Sequence, residues 1–259
     1  MNKLFLDIGN SRVKRALVSR GDYEVLPSID LNEFLKKDCF DCFFKNQKID
    51  SVYIASVTSD DNLEQIKSII QEQCQLFPII LTSQKSCCGL ISGYTDSHQL
   101  GDDRWMAMQG AIGFYKEPLI VVSAGTAMTI DAVMDGKHLG GFIVPGLRSL
   151  RSSLAMDAAA LSLIDEDSLL GDSSSSKEGC LATSTEEAIL GGTLYMTVAY
   201  INTLITDLNA HMNTAFKVIL TGGNAKKLRP LMNVECELIP DLVLQGMINI
   251  EESVKKIDS

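Results

Sequence analysis

The stretch GDDRWMAMQGA (101–111) sets Asp102 and Asp103 directly before Arg104, where Gly101 opens a run of helical character. A carboxylate with an ordinary pKa of about 4 is ionised at neutral pH and ready to take a proton from a hydroxyl. An arginine beside it offers a fixed fork of donors suited to carboxylates and phosphates. Acids in a first helical turn also offset the helix dipole, so capping alone is the bland alternative. Three further stretches, DIGNS (7–11), SAGTA (123–127) and TGGN (221–224), each place glycine behind an apolar strand. Backbone N–H groups free of bulky Cβ atoms, with hydroxyls and amides alongside, make the cradle a polyphosphate needs. Gly9, Asn10 and Ser11 line the first turn and Thr126 the second. Asp7, at a strand end, suits a carboxylate that holds Mg²⁺ through water, and Lys14 can reach a phosphate as a point charge.

Positioning these groups is the work of an internal repeat. LFLDIGNSRVKRALV (4–18) and LIVVSAGTAMTIDAVM (119–134) superpose Asp7 on Ser123, Gly9 on Gly125, Asn10 on Thr126 and Ala16 on Ala132. Each reads as an apolar strand, a small-residue turn and a second strand, a hairpin bent at glycine. Two related domains follow, 1–115 and 116–259, joined at Tyr115-Lys116-Glu117-Pro118. SVYIASV (51–57), PIILTS (78–83) and KVILTGG (217–223) read as strands, and LEQIKSIIQEQC (63–74) as an amphipathic helix. A long helix is expected from Thr185 to about residue 208, with Thr183 or Thr185 near its start. GGFIVPGL (140–147) reads as a rigid turn beside the site or as ordinary loop punctuation. GDSSSSKEG (171–179) reads as a solvated linker or a lid.

The formal charge of −10, from 33 acids against 23 basic residues, argues against a nucleic-acid or anionic-membrane surface. No stretch is read as long and apolar enough to span a bilayer, and Asp7 interrupts any signal-like run, so a soluble, cytoplasmic protein is expected. Seven cysteines without framework spacing are expected to be reduced thiols. Cys39-Phe-Asp-Cys42 and Cys87-Cys88 are the only pairs that invite a zinc or redox reading.

The motifs also occur in a telling order: D-x-G-N-S (7–11), Tyr94, L-G-D-D-R (100–104), S-A-G-T-A-M-T-I-D (123–131), G-G-F-I-V-P-G-L (140–147), T-E-E-A-I (185–189), T-G-G-N (221–224) and P-D-L-V-L-Q-G (240–246). This set resembles type III pantothenate kinase, within the superfamily of actin, Hsp70-type ATPases and acetate and sugar kinases. The resemblance implies an α/β fold of two duplicated ribonuclease-H-like (actin-like ATPase) domains with a nucleotide cleft between them. It implies ATP-dependent phosphorylation of pantothenate to 4'-phosphopantothenate, the first step of coenzyme A biosynthesis. Carried over, Asp103 is the general base and Asp102 fills the variable position. Gly101, Asp102, Asp103, Arg104, Tyr94 and Thr185 lie at the pantothenate site, Arg104 binding its carboxylate or steadying the site. Asp7, Gly9, Asn10, Ser11, Lys14 and Thr126 attend ATP and Mg²⁺. The resemblance implies a homodimer with Thr185 near the subunit interface. Ser123 stands where relatives place an aspartate that helps bind K⁺ or NH₄⁺, so the cation site here has lost a charge. A transcription-linked regulator of the same family is the alternative reading; the acidic surface and the retained Asp103 count against it.

Overall fold

Alternation along the first repeat decides which side chains face inward. The computed structural model describes residues 1–36, 48–157 and 181–257; the CFDC segment, Cys180 and the serine-rich stretch 171–179 lie outside the described residues. In β1 (Asn2–Ile8), Leu4, Leu6 and Ile8 pack into an outer core, so Phe5 and Asp7 point the opposite way. β1 pairs antiparallel with β2 (Arg12–Ser19) around Gly9, with Asp7 opposite Lys14. The second repeat behaves alike. In β8 (Leu119–Ala124), Ile120, Val122 and Ala124 face an outer core, and Leu119 and Val121 an inner one. β9 (Ala127–Met134) returns antiparallel and sends Met128, Ile130 and Ala132 outward, leaving Thr129, Asp131 and Val133 inward.

Each hairpin heads a sheet of one topology. With β3 (Asp22–Asp30), β4 (Ser51–Ser56) and β5 (Ile79–Ile80), the first sheet runs β3-β2-β1-β4-β5. The second adds β6 (Ser86–Cys87), β7 (Leu90–Ile91), β10 (Lys137–Pro145), β11 (Lys217–Thr221) and β12 (Cys236–Leu238), in the order β12-β11-β8-β9-β10-β7-β6. In both, the first three strands form an antiparallel meander and the fourth and fifth add in parallel beside the first. Residues 86–91 pair at the edge of the second sheet although they precede the second repeat in sequence.

Helices complete the layers. α1 (Leu31–Phe34) closes the first meander, capped by the Asp30 carboxylate. α2 (Asp60–Cys74) starts at Ser59, whose hydroxyl accepts from the Asn62 amide, and buries Ile66, Ile69 and Ile70 at helical spacing. α3 (Asp102–Phe114) and α7 (Leu242–Ile257) follow the fifth strand of each sheet and lie between the two sheets. Trp105, Met106 and Met108 of α3 and Leu242, Leu244 and Met247 of α7 share one core with Phe5, Tyr53, Val121 and Ile219. α4 (Leu147–Asp157), α5 (Thr185–Met212) and the short α6 (Ala225–Leu228) flank the second sheet.

Three expectations change. PIILTS is strand only at Ile79 and Ile80, with the Leu81 amide still donating to the Ile54 carbonyl; further on, the Ser83 amide goes to the Asp102 carboxylate. GGFIVPGL is mostly strand: Gly140 to Pro145 belong to β10, and only Gly146 turns. By length and composition α5 could cross a membrane, contrary to the reading above, yet it buries Thr193, Thr197, Ile201 and Ile205 against its own sheet.

The inner layer depends on a close helix crossing. A Cβ at Gly246 would collide with the Met106 carbonyl oxygen, and one at Gly110 with that of Leu242. Only a missing side chain on both helices lets α3 and α7 approach this far. Gly246→Ala is therefore expected to cost about 1–3 kcal/mol or more through overpacking, read as a lowered urea midpoint.

Candidate active site

Asp103 owes its place to the start of α3. Gly101 occupies the N-cap without a side chain of its own, and a Cβ there would lie 2.8 Å from Asp103 Oδ1. Glycine thus leaves room for the carboxylate to fold back, where Oδ1 accepts the Arg104 amide at 2.8 Å. Asp102 is no solvated neighbour. Its Oδ1 accepts the Ser83 amide at 2.7 Å, and Ser83 in turn donates to the Ser97 carbonyl, so Asp102 ties the loop after β5 to the helix.

Facing Asp103 is the first hairpin. Asp7 is almost fully buried at the end of β1, and Lys14 Nζ lies 3.6 Å from its Oδ2. Lys14 also acts electrostatically on Asp103, and the charge of Asp103 acts on Asp7. One ammonium therefore stands among two carboxylates contributed by different elements. Next to it the Gly9 amide donates to the Arg12 carbonyl, shaping a turn whose Asn10 and Ser11 remain exposed.

The other flank is a buried fork. Arg104 Nε donates to Asp131 Oδ2 at 3.0 Å and Nη2 to Oδ1 at 2.5 Å, with both side chains almost fully buried. Nη1 donates to the Tyr94 hydroxyl at 2.8 Å. His138 Nε2 lies 3.0 Å from Asp131 Oδ1, and its ring stacks on Tyr94 with centroids 5.8 Å apart. Burial works against the guanidinium's charge, but Asp131 and Tyr94 hold its pKa above the usual value. Space for the fork comes from Gly141, where a Cβ would strike Asp131 Oδ1 and stand 2.7 Å from Arg104 Nη2. Its neighbour Gly140 instead takes a φ of +134°, which favours glycine.

The second and third glycine turns adjoin. Gly222, at φ +93°, lies so close to Ala124 that a Cβ would stand 2.6 Å from its carbonyl carbon and oxygen, and the Asn224 amide donates to the Ala124 carbonyl. Gly146 packs against the carbonyls of Gly125 and Thr126, and its amide donates to Thr126 O at 3.0 Å. Thr126 keeps its side chain exposed at this mouth. Ser123 is half-buried and registers beside Thr129 and Thr221, so three hydroxyl-bearing residues stand abreast there.

Of the residues singled out from sequence, Asp7, Lys14, Tyr94, Gly101, Asp103 and Arg104 come together. Thr185 stands exposed in the first turn of α5, and the resemblance has its substrate contact completed across a dimer interface. Asp131, His138 and Gly141 were missed. The detectable signal for Asp131 was its phase: in T-I-D-A-V the strand alternation sends an acid onto the inner face between Thr129 and Val133. Of the cysteines, Cys74, Cys87, Cys88 and Cys236 are free thiols, and among the described residues no three His, Cys, Asp or Glu side chains gather to hold a metal.

Burial raises the pKa of both Asp7 and Asp103, opposed for each by Lys14 and for Asp103 also by the Arg104 amide and charge. A carboxyl whose folded pKa is raised binds its proton more tightly folded than unfolded. Its contribution to stability is fully present below the ordinary carboxylate value and is lost as pH rises through the folded one. Asp103→Asn is accordingly expected to unfold at a higher temperature than the native chain at pH 7, with the difference shrinking towards pH 4 in a calorimetric series.

Comparison with known proteins gives the family and the fold. The family model for type III pantothenate kinase matches residues 3–207. A type III pantothenate kinase from Hydrogenovibrio crunogenus is 38% identical, the match covering 97% of this chain and 99% of that one. Among solved structures, one described as a Baf family transcriptional activator from Campylobacter jejuni superposes with a TM-score of 0.59 at 24% identity, over 98% and 99% of the two chains. MreB 5 of Spiroplasma citri, bound to AMPPNP, follows with a TM-score of 0.51 at 13% identity, over 99% and 98%. These two likenesses concern the fold, which is that of the actin-like ATPases and sugar kinases. By its sequence match over most of its length, the chain belongs to the type III pantothenate kinase family.

Proposed function

We propose that Asp103 is the general base of an ATP-dependent pantothenate kinase, the activity that goes with the family. In this reaction the primary hydroxyl of pantothenate attacks the γ-phosphorus of ATP. The new O–P bond forms as the bond to the β,γ-bridging oxygen breaks, ADP leaves, and the hydroxyl proton passes to the Asp103 carboxylate. Phosphoryl transfer relies mainly on alignment and on neutralising phosphate charge, so a single modest base suffices. The observation that carries the reading is the position of Asp103 between the Asp7–Lys14 hairpin on one side and the Arg104–Tyr94 pair on the other.

Within this reading, Gly9, Asn10, Ser11 and Thr126 offer amides and hydroxyls to the nucleotide, and Lys14 moves between Asp7 and a phosphate. Mg²⁺ fits Asp7, an inward carboxylate beside an amide-rich turn whose remaining ligands would be phosphate oxygens and water. When bound, the ion neutralises charge on the phosphates. Arg104 is held by Asp131, so it steadies Tyr94 and the pocket, with its spare N–H groups left for the pantothenate carboxylate. At Ser123 the neighbouring oxygens are neutral hydroxyls, which bind K⁺ or NH₄⁺ weakly. The division into halves 1–115 and 116–259 follows the two hairpins that head the sheets. A homodimer is supported by apolar side chains left exposed on adjoining elements: Phe142 and Ile143 on β10, Leu154 and Met156 on α4, Tyr195 and Met196 on α5. The transfer belongs in the cytoplasm in this proposal, where ATP and a soluble acid substrate meet.

Three measurements test it. Asp103→Asn is expected to lower kcat by about 10²–10⁴-fold while ATP binding persists, and exchanging K⁺ for Na⁺ to change the native rate by less than about twofold. A folded native protein that leaves pantothenate unphosphorylated with Mg²⁺ and ATP would refute the assignment. Light scattering is expected to give a dimer mass that Tyr195→Asp shifts towards the monomer; a monomeric native protein at micromolar concentration would sink the dimer.

A further inference from the structure

We infer that His138 is a positioning residue for the pantothenate pocket, held as the neutral Nε2–H tautomer and acting through Asp131 and Tyr94. The inference rests on the proposed role of Tyr94 at that pocket. Asp131 is an acceptor whose Oδ1 already takes Arg104 Nη2 at 2.5 Å, and His138 Nε2 reaches the same oxygen at 3.0 Å. A carboxylate has no proton to give, so Nε2 carries it. His138 Nδ1 is buried with no hydrogen-bond partner among the described residues. Leaving a lone pair unpaired there is cheaper than burying an unpaired N–H, and a second cation beside Arg104 would compete for Asp131. The ring is therefore neutral, and it adds a third hydrogen bond to Asp131 without disturbing the charge balance of the Arg104–Asp131 pair.

The other face of the device is Tyr94. The His138 ring lies 16° from parallel to it, and the Arg104 guanidinium carbon stands 5.5 Å from its centroid. The Tyr94 oxygen accepts from Arg104 Nη1, which leaves the phenolic proton to be donated outward. Backbone contacts fasten the same parts. The Ile91 amide donates to the Gly136 carbonyl, and Gly93 packs so closely on the His138 carbonyl that a Cβ would not fit. His138 thus fixes both the ring plane of Tyr94 and the carboxylate that holds Arg104. What results is a phenolic donor aimed at a polar atom of the acceptor substrate.

Three readouts separate this from a merely structural role. Long-range ¹⁵N–¹H correlation on histidine-labelled native protein is expected to give an Nε2–H ring at pH 7; an Nδ1–H or doubly protonated ring would overturn the inference. This readout needs no turnover, so it stands even if pantothenate is not the substrate. His138→Phe keeps the stacked ring and loses the donor; it is expected to raise KM for pantothenate about tenfold with KM for ATP unchanged. His138→Gln, which restores an N–H donor, is expected to recover part of that loss. Equal effects on both substrates, or lowered thermal stability with both KM values unchanged, would overturn the inference. In a cycle with Tyr94→Phe the two losses are expected to be less than additive; full additivity would show that His138 does not act through Tyr94.

Discussion

The buried pair of Arg104 and Asp131 is the interaction on which the rest of the site hangs. Removing two charges from water is expensive, and an ion pair at this depth is retained only with near-ideal geometry and further hydrogen bonds. Both conditions hold: the fork is bidentate, Tyr94 takes the remaining nitrogen, and His138 shares the carboxylate. The pair also joins the two halves of the molecule. Arg104 comes from the helix that follows the first sheet, and Asp131 from the second strand of the other. Fixing that bond fixes where Asp103, the residue directly before Arg104, stands relative to both hairpins.

Duplication supplies the frame for this join. Two sheets of one topology each end in a helix that turns inward, and α3 and α7 meet at Gly110 and Gly246 closely enough to share one core. Lys3 and the Tyr53 hydroxyl on the first sheet bond Glu251 of α7, so the last helix of the chain is anchored on the first sheet. The glycine turns at the strand ends are then held at fixed separations, with the second and third locked together through Ala124 and Gly222.

Charge at the centre works against stability. Asp7 and Asp103 are both raised by burial, and Lys14 offsets only part of that penalty. On the proposed function this concentration of acid is set by the chemistry of the site, and the surrounding packing carries its cost.

Local patterns were legible because they depend on neighbours in sequence. Glycine between two apolar β-runs gave both hairpins, acids after Gly101 gave the start of α3, and hydrophobic spacing gave α2 and α5. The order of motifs gave the family. What the chain alone left open involved partners far apart in sequence. Asp102 looked like a capping acid, but its partner is the Ser83 amide, just beyond the short strand Ile79–Ile80 that stands where 78–83 was expected. GGFIVPGL looked like a turn because it is rich in glycine and proline, yet it is mostly strand, and its Gly141 serves close packing over an ion pair 27 residues apart in the chain. His138 carries no local mark, and the strand phase that turns Asp131 inward does not name its partners, since a buried charge is recognisable as paired only by what neutralises it. Sequence therefore determined the elements, the repeat and the place of the two adjacent acids at the start of α3, because these follow from backbone preference and periodicity. Tertiary structure alone decided which charges are paired and which are left to do chemistry, because pairing is a matter of distance in space.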